Sequence, residues 1–203
     1  MRTLVIDTAT AACSIALVEY GVVIAHAHQV VGRGHAERLV PMIAALPDGG
    51  RAGRILVDVG PGSFTGLRVG IAAARGLALG WGAEVAGYSS LALIAARGFA
   101  DRPTDDLAVV IEGGHGEVFM QSFAPGPAPL ADLASLGPEA AALAIAGRPA
   151  IGNGLRWLQA VDATQELRDA LPDAADVLLL PPALCGLPPR PIYGRAPDAK
   201  PPV

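Results

Sequence analysis

The sequence predicts an α/β protein in which helices lie over the faces of mixed β-sheets. Three observations predict this. Short β runs, residues 3–7 and 13–18 foremost, crowd the N-terminus. Helical spacing begins only after Gly34, where Leu39, Ile43 and Leu46 fall on one side. From there strands and helices alternate, with a glycine-rich junction that follows a strand and opens a helix.

The elements follow in order. Glu19-Tyr20-Gly21 reads as a turn and residues 22–31 as a third strand. His26 and His28, two apart, share one face of that strand, which reads as the polar face of a sheet edge. Gly32-Arg33-Gly34 breaks the run. Residues 35–46 form the first helix, with Pro41 in its second turn. Residues 48–53 are a loop and 54–59 a fourth strand. Residues 60–66 make a glycine-rich loop, and 67–80 a second helix. Residues 84–87 are a strand, and Ser89 is expected to cap a third helix reaching Arg97. The order β-β-β-α-β-α-β-α is the layout of a ribonuclease-H-like lobe, residues 1–100.

Residues 101–106 read as a linker, and 101–203 as a smaller C-terminal lobe. It starts similarly, with a strand at 107–111, a turn at Gly113-Gly114-His115-Gly116 and a strand at 117–123. Pro125, Pro127 and Pro129 mark a loop. Helices are expected at 139–146 and 155–171, separated by Gly152-Asn153-Gly154. From Pro172 onward the prolines predict short pieces and an extended tail. The second lobe reads as a degenerate copy of the first, without a fixed-period repeat.

Composition narrows the function. Hydrophobic residues are 52% and charged residues 17%, too apolar for a disordered chain. The net charge of −4 disfavours a general nucleic-acid binder, and 4% aromatics leave few surfaces for stacking bases. The longest apolar stretch, residues 85–96, falls short of the ~20 residues of a membrane span. The opening MRTLVIDTAT meets Asp7 too early for a signal peptide, so the cytoplasm is expected. Cys13 and Cys185 are expected in the core. With four scattered histidines they offer no tetrahedral metal site, so none is expected. The one lysine, Lys200, excludes a P-loop or catalytic lysine before the tail. So little charge hardly covers a monomer, which hints at a partner surface.

The most specific segment is GPGSFTGLRVG, residues 60–70. A loop between strand and helix offers free N–H groups and a positive helix end to phosphate, which makes Gly60, Gly62 and Ser63 candidates. The same glycines also suit close strand–helix packing. Asp7 ends the first strand and Asp58 nearly ends the fourth, so the pair could share Mg²⁺ or stand as strand-end acids. Gly152 and Gly154 flank a candidate second ligand-facing turn. Hydrolase constellations are absent: there is no HExxH, and Ser63 is misplaced for a G-x-S-x-G elbow. His115, near Glu112 and Glu117, reads as a hairpin tip.

Ile6-Asp7-Thr8-Ala9-Thr10, residues 35–43, GPGSFTGLRVG and Gly87-Tyr88-Ser89-Ser90-Leu91 together resemble the TsaB (YeaZ) family. So do Gly116-Glu117-Val118-Phe119 and the tail at 191–199. The resemblance implies an actin-like ATPase-domain (ASKHA) fold of two ribonuclease-H-like lobes. It implies a bacterial scaffold and activator subunit in making N6-threonylcarbamoyladenosine at position 37 of tRNA. No catalytic residue is then expected here. The chemistry would lie with the paralogue TsaD, and ATP and metal with TsaD and the ATPase TsaE. TsaD holds its metal with a histidine pair, and the matching places here are Ser90 and Ile94. Glu112-Gly113-Gly114-His115 also departs from the family's commoner Asp-Ala-Arg-Arg. The runner-up is an independent ATPase or kinase using Asp7, Asp58 and loop 60–66, although Thr8-Ala9-Thr10 lacks a phosphate-wrapping glycine.

Both early helices look apolar on more than one side. Their dimer face is expected to use His35, Leu39, Val40, Met42, Ile43, Ala44 and Leu46 from the first. Arg68, Ile71, Ala72, Arg75 and Leu79 are expected from the second, while Gly66, Val69, Gly70, Ala73 and Leu77 pack on the sheet. The family's dimers pair through the corresponding helices, so TsaD or a second copy of this chain is the expected occupant. tRNA would be reached only through the complex.

Overall fold

The computed structural model describes residues 1–161 and 167–195. β1 (Arg2–Asp7), β2 (Ala12–Glu19) and β3 (Val22–Val30) form an antiparallel meander. β4 (Arg54–Asp58) lies parallel to β1, and β5 (Glu84–Tyr88) parallel to β4. The sheet order is β3-β2-β1-β4-β5. Alternation decides what each face covers. Leu4, Ile6, Ile15, Leu17, Ile55 and Val57 point to one side, under α1 (His35–Ala44) and α2 (Phe64–Trp81). Val5, Ala16 and Leu56 point to the other, against α3 (Ser90–Asp101).

The second sheet contains β6 (Leu107–Gly114), β7 (Glu117–Ala124), β8 (Ala128–Pro129) and β9 (Ala134–Leu136). β10 (Ala150–Ile151) and β11 (Leu167–Arg168) extend it in the order β11-β10-β6-β7-β8, with β9 also paired to β7. Val109 and Ile111 of β6 face α3, whereas Ala108 and Val110 face α4 (Pro138–Ile145) and α5 (Leu155–Gln159). α3 is therefore clamped between both sheets, and its residues 90–96 are all buried.

Two expectations change. The helix expected over 155–171 is one short turn, α5, because Leu167–Arg168 pairs beside Ala150–Ile151 instead. Apolar spacing alone does not separate one helix from two short elements. Residues 162–166 of that stretch lie outside the described residues, as do Lys200 and the tail from residue 196. Ser89 occupies the cap position of α3, but its side chain makes no capping bond. The carboxylate of Asp58 does that work from outside, accepting the Ser90 N–H at 3.1 Å. From Pro172, where short pieces and an extended tail are expected, the described chain returns to the first sheet. Gly87 and Leu187 exchange backbone bonds of 2.6 and 3.0 Å, and the Ile192 N–H donates to the Val59 carbonyl at 2.7 Å. Cys13 and Cys185 are both buried thiols, and burial pushes Cys13 up to about 11.

Candidate functional site

The loops after β1 and β4 meet at the base of a cleft between the lobes. Ser63 N–H donates to the Ala9 carbonyl at 2.6 Å, and Thr8 Oγ1 donates to the Gly66 carbonyl at 2.7 Å. A Cβ at Gly62 would overlap the Ala9 carbonyl, and one at Gly66 the Thr8 carbonyl. Glycine is required at both for this close approach. Ser63 caps α2 through its own side chain, accepting the Gly66 N–H at 3.2 Å. Two of the loop N–H groups suited to phosphate are thus already bonded within the protein.

Asp7 and Asp58 lie beneath this junction, with 0% and 1% of their surface exposed. Asp7 accepts from Tyr88 Oη at 3.1 Å and from Ala9 N–H at 3.3 Å. Asp58 Oδ1 accepts from Gly60 N–H at 2.7 Å as well as from Ser90 N–H. Its Oδ2 is buried and receives no hydrogen bond. Burial raises Asp7 to about 6, and burial together with the Asp7 charge raises Asp58 well above the carboxylate range. Burial thus favours the neutral carboxyl at both positions. Of the oxygens expected to share Mg²⁺, three are bonded within the chain, to Tyr88, Ala9, Gly60 and Ser90. The places matching the TsaD histidines are filled too: Ser90 Oγ donates to the Pro61 carbonyl at 2.7 Å, and Ile94 is in the core.

The cleft encloses about 950 Å³. Gly62, Ser63, Phe64 and Arg68 line one wall, Glu112 to Glu117 and Asn153 the other, with Tyr193 and Arg195 from the returning segment. Asp7, Asp58, Gly60, Gly152 and Gly154 are not on its surface. Cβ atoms at Gly152 and Gly154 would strike the β6 backbone at Val110 and Ile111, so these glycines serve packing. Between them Asn153 does reach the cleft, accepting the Glu112 N–H at 3.2 Å. Glu112 also pairs with Arg156 and accepts from Trp157 Nε1 at 3.2 Å. His115 sits in the two-residue turn of the β6–β7 hairpin with φ 55°. Arg68 lies 3.5 Å above the Phe64 ring and donates to Tyr193 Oη at 3.2 Å. Asn153 belongs to the turn that the sequence offered as ligand-facing, whereas Trp157 and Tyr193 were not among the candidates. These two reach the cleft only through a short helix and chain return.

The helix face expected to pair divides in two. His35, Leu39, Met42, Ile43, Leu46 and Ile71 are buried within this chain. His35 also bonds the Ala12 carbonyl at 3.1 Å. Val40, Ala44, Ala72 and Leu79 remain exposed, Val40 at 56% and Leu79 at 89%. Arg68 and Arg75 are exposed but tied to the returning segment, Arg75 by a 2.6 Å bond to the Pro189 carbonyl. The inner stripe of α2 runs through Leu67, Gly70, Ile71, Ala74 and Ala78, turned about one helical position, ~100°, from that expected.

His26 and His28 are not simply a solvated edge. Asp173, at the start of the returning segment, sits over them, 2.7 Å from His26 Nε2. The histidines are thus less scattered than the sequence suggested.

Two helix-covered sheets, joined at a cleft with the strand-one and strand-four loops at its base, define the actin-like ATPase-domain fold. EutJ from Carboxydothermus hydrogenoformans shares that fold, with a TM-score of 0.50 at 15% identity over 92% of this chain and 90% of that one. The family model described as "TsaD: tRNA N6-adenosine threonylcarbamoyltransferase" matches residues 22–135, more than half of the chain. YeaZ from Pseudomonas aeruginosa superposes with a TM-score of 0.80 at 30% identity, covering 95% of this chain and 99% of that one. "tRNA threonylcarbamoyladenosine biosynthesis protein TsaB" of Escherichia coli K12 is 38% identical over 130 residues, 61% of this chain. The match spans about half of that relative's length, 55%. An uncharacterised protein of Mycobacterium bovis is 33% identical over 98% of this chain and 93% of its own length. This chain belongs to the TsaB/YeaZ family. No helix among the described residues is long and apolar enough to cross a membrane.

Proposed function

We propose that this chain is a non-catalytic scaffold and activator subunit for making N6-threonylcarbamoyladenosine at position 37 of bacterial tRNA. It pairs through α1 and α2 with the catalytic paralogue TsaD and supports binding of the ATPase TsaE. A second copy takes the same face when TsaD is absent. ATP and metal belong to the partner subunits, tRNA is reached only through the complex, and the assembly works in the cytoplasm.

The observation that carries the reading is the exposed apolar face of two helices packed side by side, Val40 and Ala44 on α1 with Ala72 and Leu79 on α2. A surface helix in a monomer keeps a polar outer face. Consistent with a supporting role, the acid pair is buried and the loop glycines Gly62 and Gly66 serve close packing. The relatives named TsaB supply the pathway.

The test is an Ala44→Arg, Ala72→Arg double variant mixed with purified TsaD. An unpaired charge in a closed interface costs several kcal/mol, a loss of more than ~100-fold in affinity. Association should collapse while the variant keeps its circular dichroism and cooperative melt. Wild-type affinity in a folded variant places the interface elsewhere. The chain alone should turn over neither ATP nor, with tRNA, threonylcarbamoyl-AMP. Robust turnover lost in Asp7→Ala overturns the scaffold reading.

A further inference from the structure

His26 and His28 stand on the one face of β3 that the chain's return covers. Their neighbours across the sheet are Ala16 and Ser14 of β2. The return places Asp173 at this point by means independent of the histidines. Asp173 Oδ1 accepts the Ala175 N–H at 2.9 Å, capping the turn Ala174–Leu179. Ser14 Oγ donates to the same oxygen at 3.2 Å and accepts the Ala174 N–H at 2.9 Å. The carboxylate is therefore held in position before either imidazole is considered.

The imidazoles then complete an unusual set. His26 Nε2 lies 2.7 Å from Asp173 Oδ1, and His28 Nδ1 lies 3.5 Å from Oδ2. The second distance is too long for a good hydrogen bond. His28 Nδ1 is buried and has no hydrogen-bond partner. One ligand atom from each residue falls within 4.8 Å of the other two. Ligands at ~2.0–2.1 Å around a tetrahedral ion stand about 3.3 Å apart, so small rotamer shifts close the gap. The three side chains are between a quarter and a third exposed, which leaves an entry path and room for a water as fourth ligand. Asp176, one turn on, is engaged by Arg97 and stands outside the set.

We propose that His26, His28 and Asp173 form a three-ligand site for a divalent transition-metal ion, zinc by its chemistry, joining the edge strand to the returning segment. Two neutral imidazoles and one carboxylate suit borderline-soft zinc. Calcium needs six or more oxygens, and magnesium an octahedron of them. The ion takes the place of the direct His26–Asp173 contact and supplies the partner that His28 Nδ1 lacks. It ties β3 to the segment after Asp173, so metal binding stabilises the folded chain. Nothing in the local sequence joins Asp173 to strand three, so the sequence alone does not bring these three residues together.

The test uses tag-free, metal-stripped full chain dialysed against zinc alone, with elemental analysis and thermal melts. One zinc per chain at micromolar free metal, with a raised melting temperature, is expected. Asp173→Asn keeps an oxygen to cap Ala175, so it should fold; it and His28→Ala should each weaken binding at least tenfold. Cys13→Ser should bind as wild type. Less than stoichiometric zinc overturns the proposal. So does full binding by folded Asp173→Asn, which puts the ion elsewhere. A melt that does not respond to zinc overturns it as well.

Discussion

α2 and α3 are built from the same kind of sequence and meet different fates. Both follow strands of the first sheet, and both are rich in alanine and leucine with few charges. α3 is buried almost all round because the second sheet packs on the side that the first leaves open. α2 buries one stripe and leaves Ala72, Gly76, Leu79 and Gly80 exposed. A helix apolar on two sides needs two covers. For α3 both covers are in this chain. For α2 the described residues supply only one, apart from the strap that Pro189 and Tyr193 lay along its two arginines. The difference makes the outer face of α2 the place to look for a partner.

The largest effect should come from setting one charge into each helix. Ala95 is fully buried in α3 between the sheets. Ala95→Arg puts an unpaired cation there and should cost at least ~4 kcal/mol, a large part of a domain's stability. Urea denaturation should show a lost or strongly shifted transition. Ala72→Arg, at an exposed site, should stay within ~0.5 kcal/mol of wild type. If the two variants melt alike, the distinction between the helices is wrong.

How far the sequence carried differs across the molecule for physical reasons. The first lobe was legible because each element announces itself locally: alternation in β1 to β3, the junction at residues 60–66, and the break at residues 32–34. The family resemblance rested on the same segments. The second lobe was harder to read. Its two-residue strands β8, β10 and β11 are too short for any periodicity to register. The candidate site was legible in part. Gly62 and Ser63 line the cleft, whereas Asp7 and Asp58 lie buried beneath it. A strand-end acid looks the same in sequence whether water or a neighbouring carboxyl meets it. Half of the helix face was misassigned because a wheel gives the stripe's width and not its rotation. Asp173 over His26 and His28 is a contact between distant segments, and no local pattern encodes it.

A smaller effect concerns how α3 begins. α2 is capped by its own Ser63, whereas α3 is capped by the buried Asp58 carboxyl. Asp58→Leu removes the acceptor for both Gly60 and Ser90 N–H groups and should cost about 2–4 kcal/mol. Asp58→Asn keeps Oδ1 as acceptor for both N–H groups and stays neutral. It should melt within ~1 kcal/mol of wild type. The pH profile separates them further. Asp7 is raised to about 6 from an ordinary value of about 4, chiefly by burial. Over that window the folded chain holds protons the unfolded chain has released, so stability falls as pH rises. Asp58, raised well above its ordinary value, makes the same loss steeper from the start and carries it on past about pH 6. Asp58→Asn should fall less steeply and level off near about pH 6. A fall in Asp58→Asn that continues beyond that point as in wild type would show that Asp58 does not cause it.

The smallest effect is set by one glycine in each helix. A Cβ at Gly98 in α3 would run into the Leu107 side chain. Gly98→Ala should therefore forfeit the helix-propensity gain of alanine and cost about 1 kcal/mol or more in overpacking. A Cβ at Gly76 in α2 meets nothing within 4 Å. Gly76→Ala should stabilise the isolated chain by up to ~1 kcal/mol, the usual gain at an exposed helix interior. Opposite shifts in the melts of the two variants are expected. A fall in the Gly76→Ala melt means that something in this chain already covers α2. Association carries the comparison one step further. If a partner helix crosses α2 closely near Gly76, the added methyl raises the melt of the subunit and weakens the complex. A variant that is more stable alone and weaker in binding is hard to obtain any other way. It would locate the second cover of α2 to within one turn of helix.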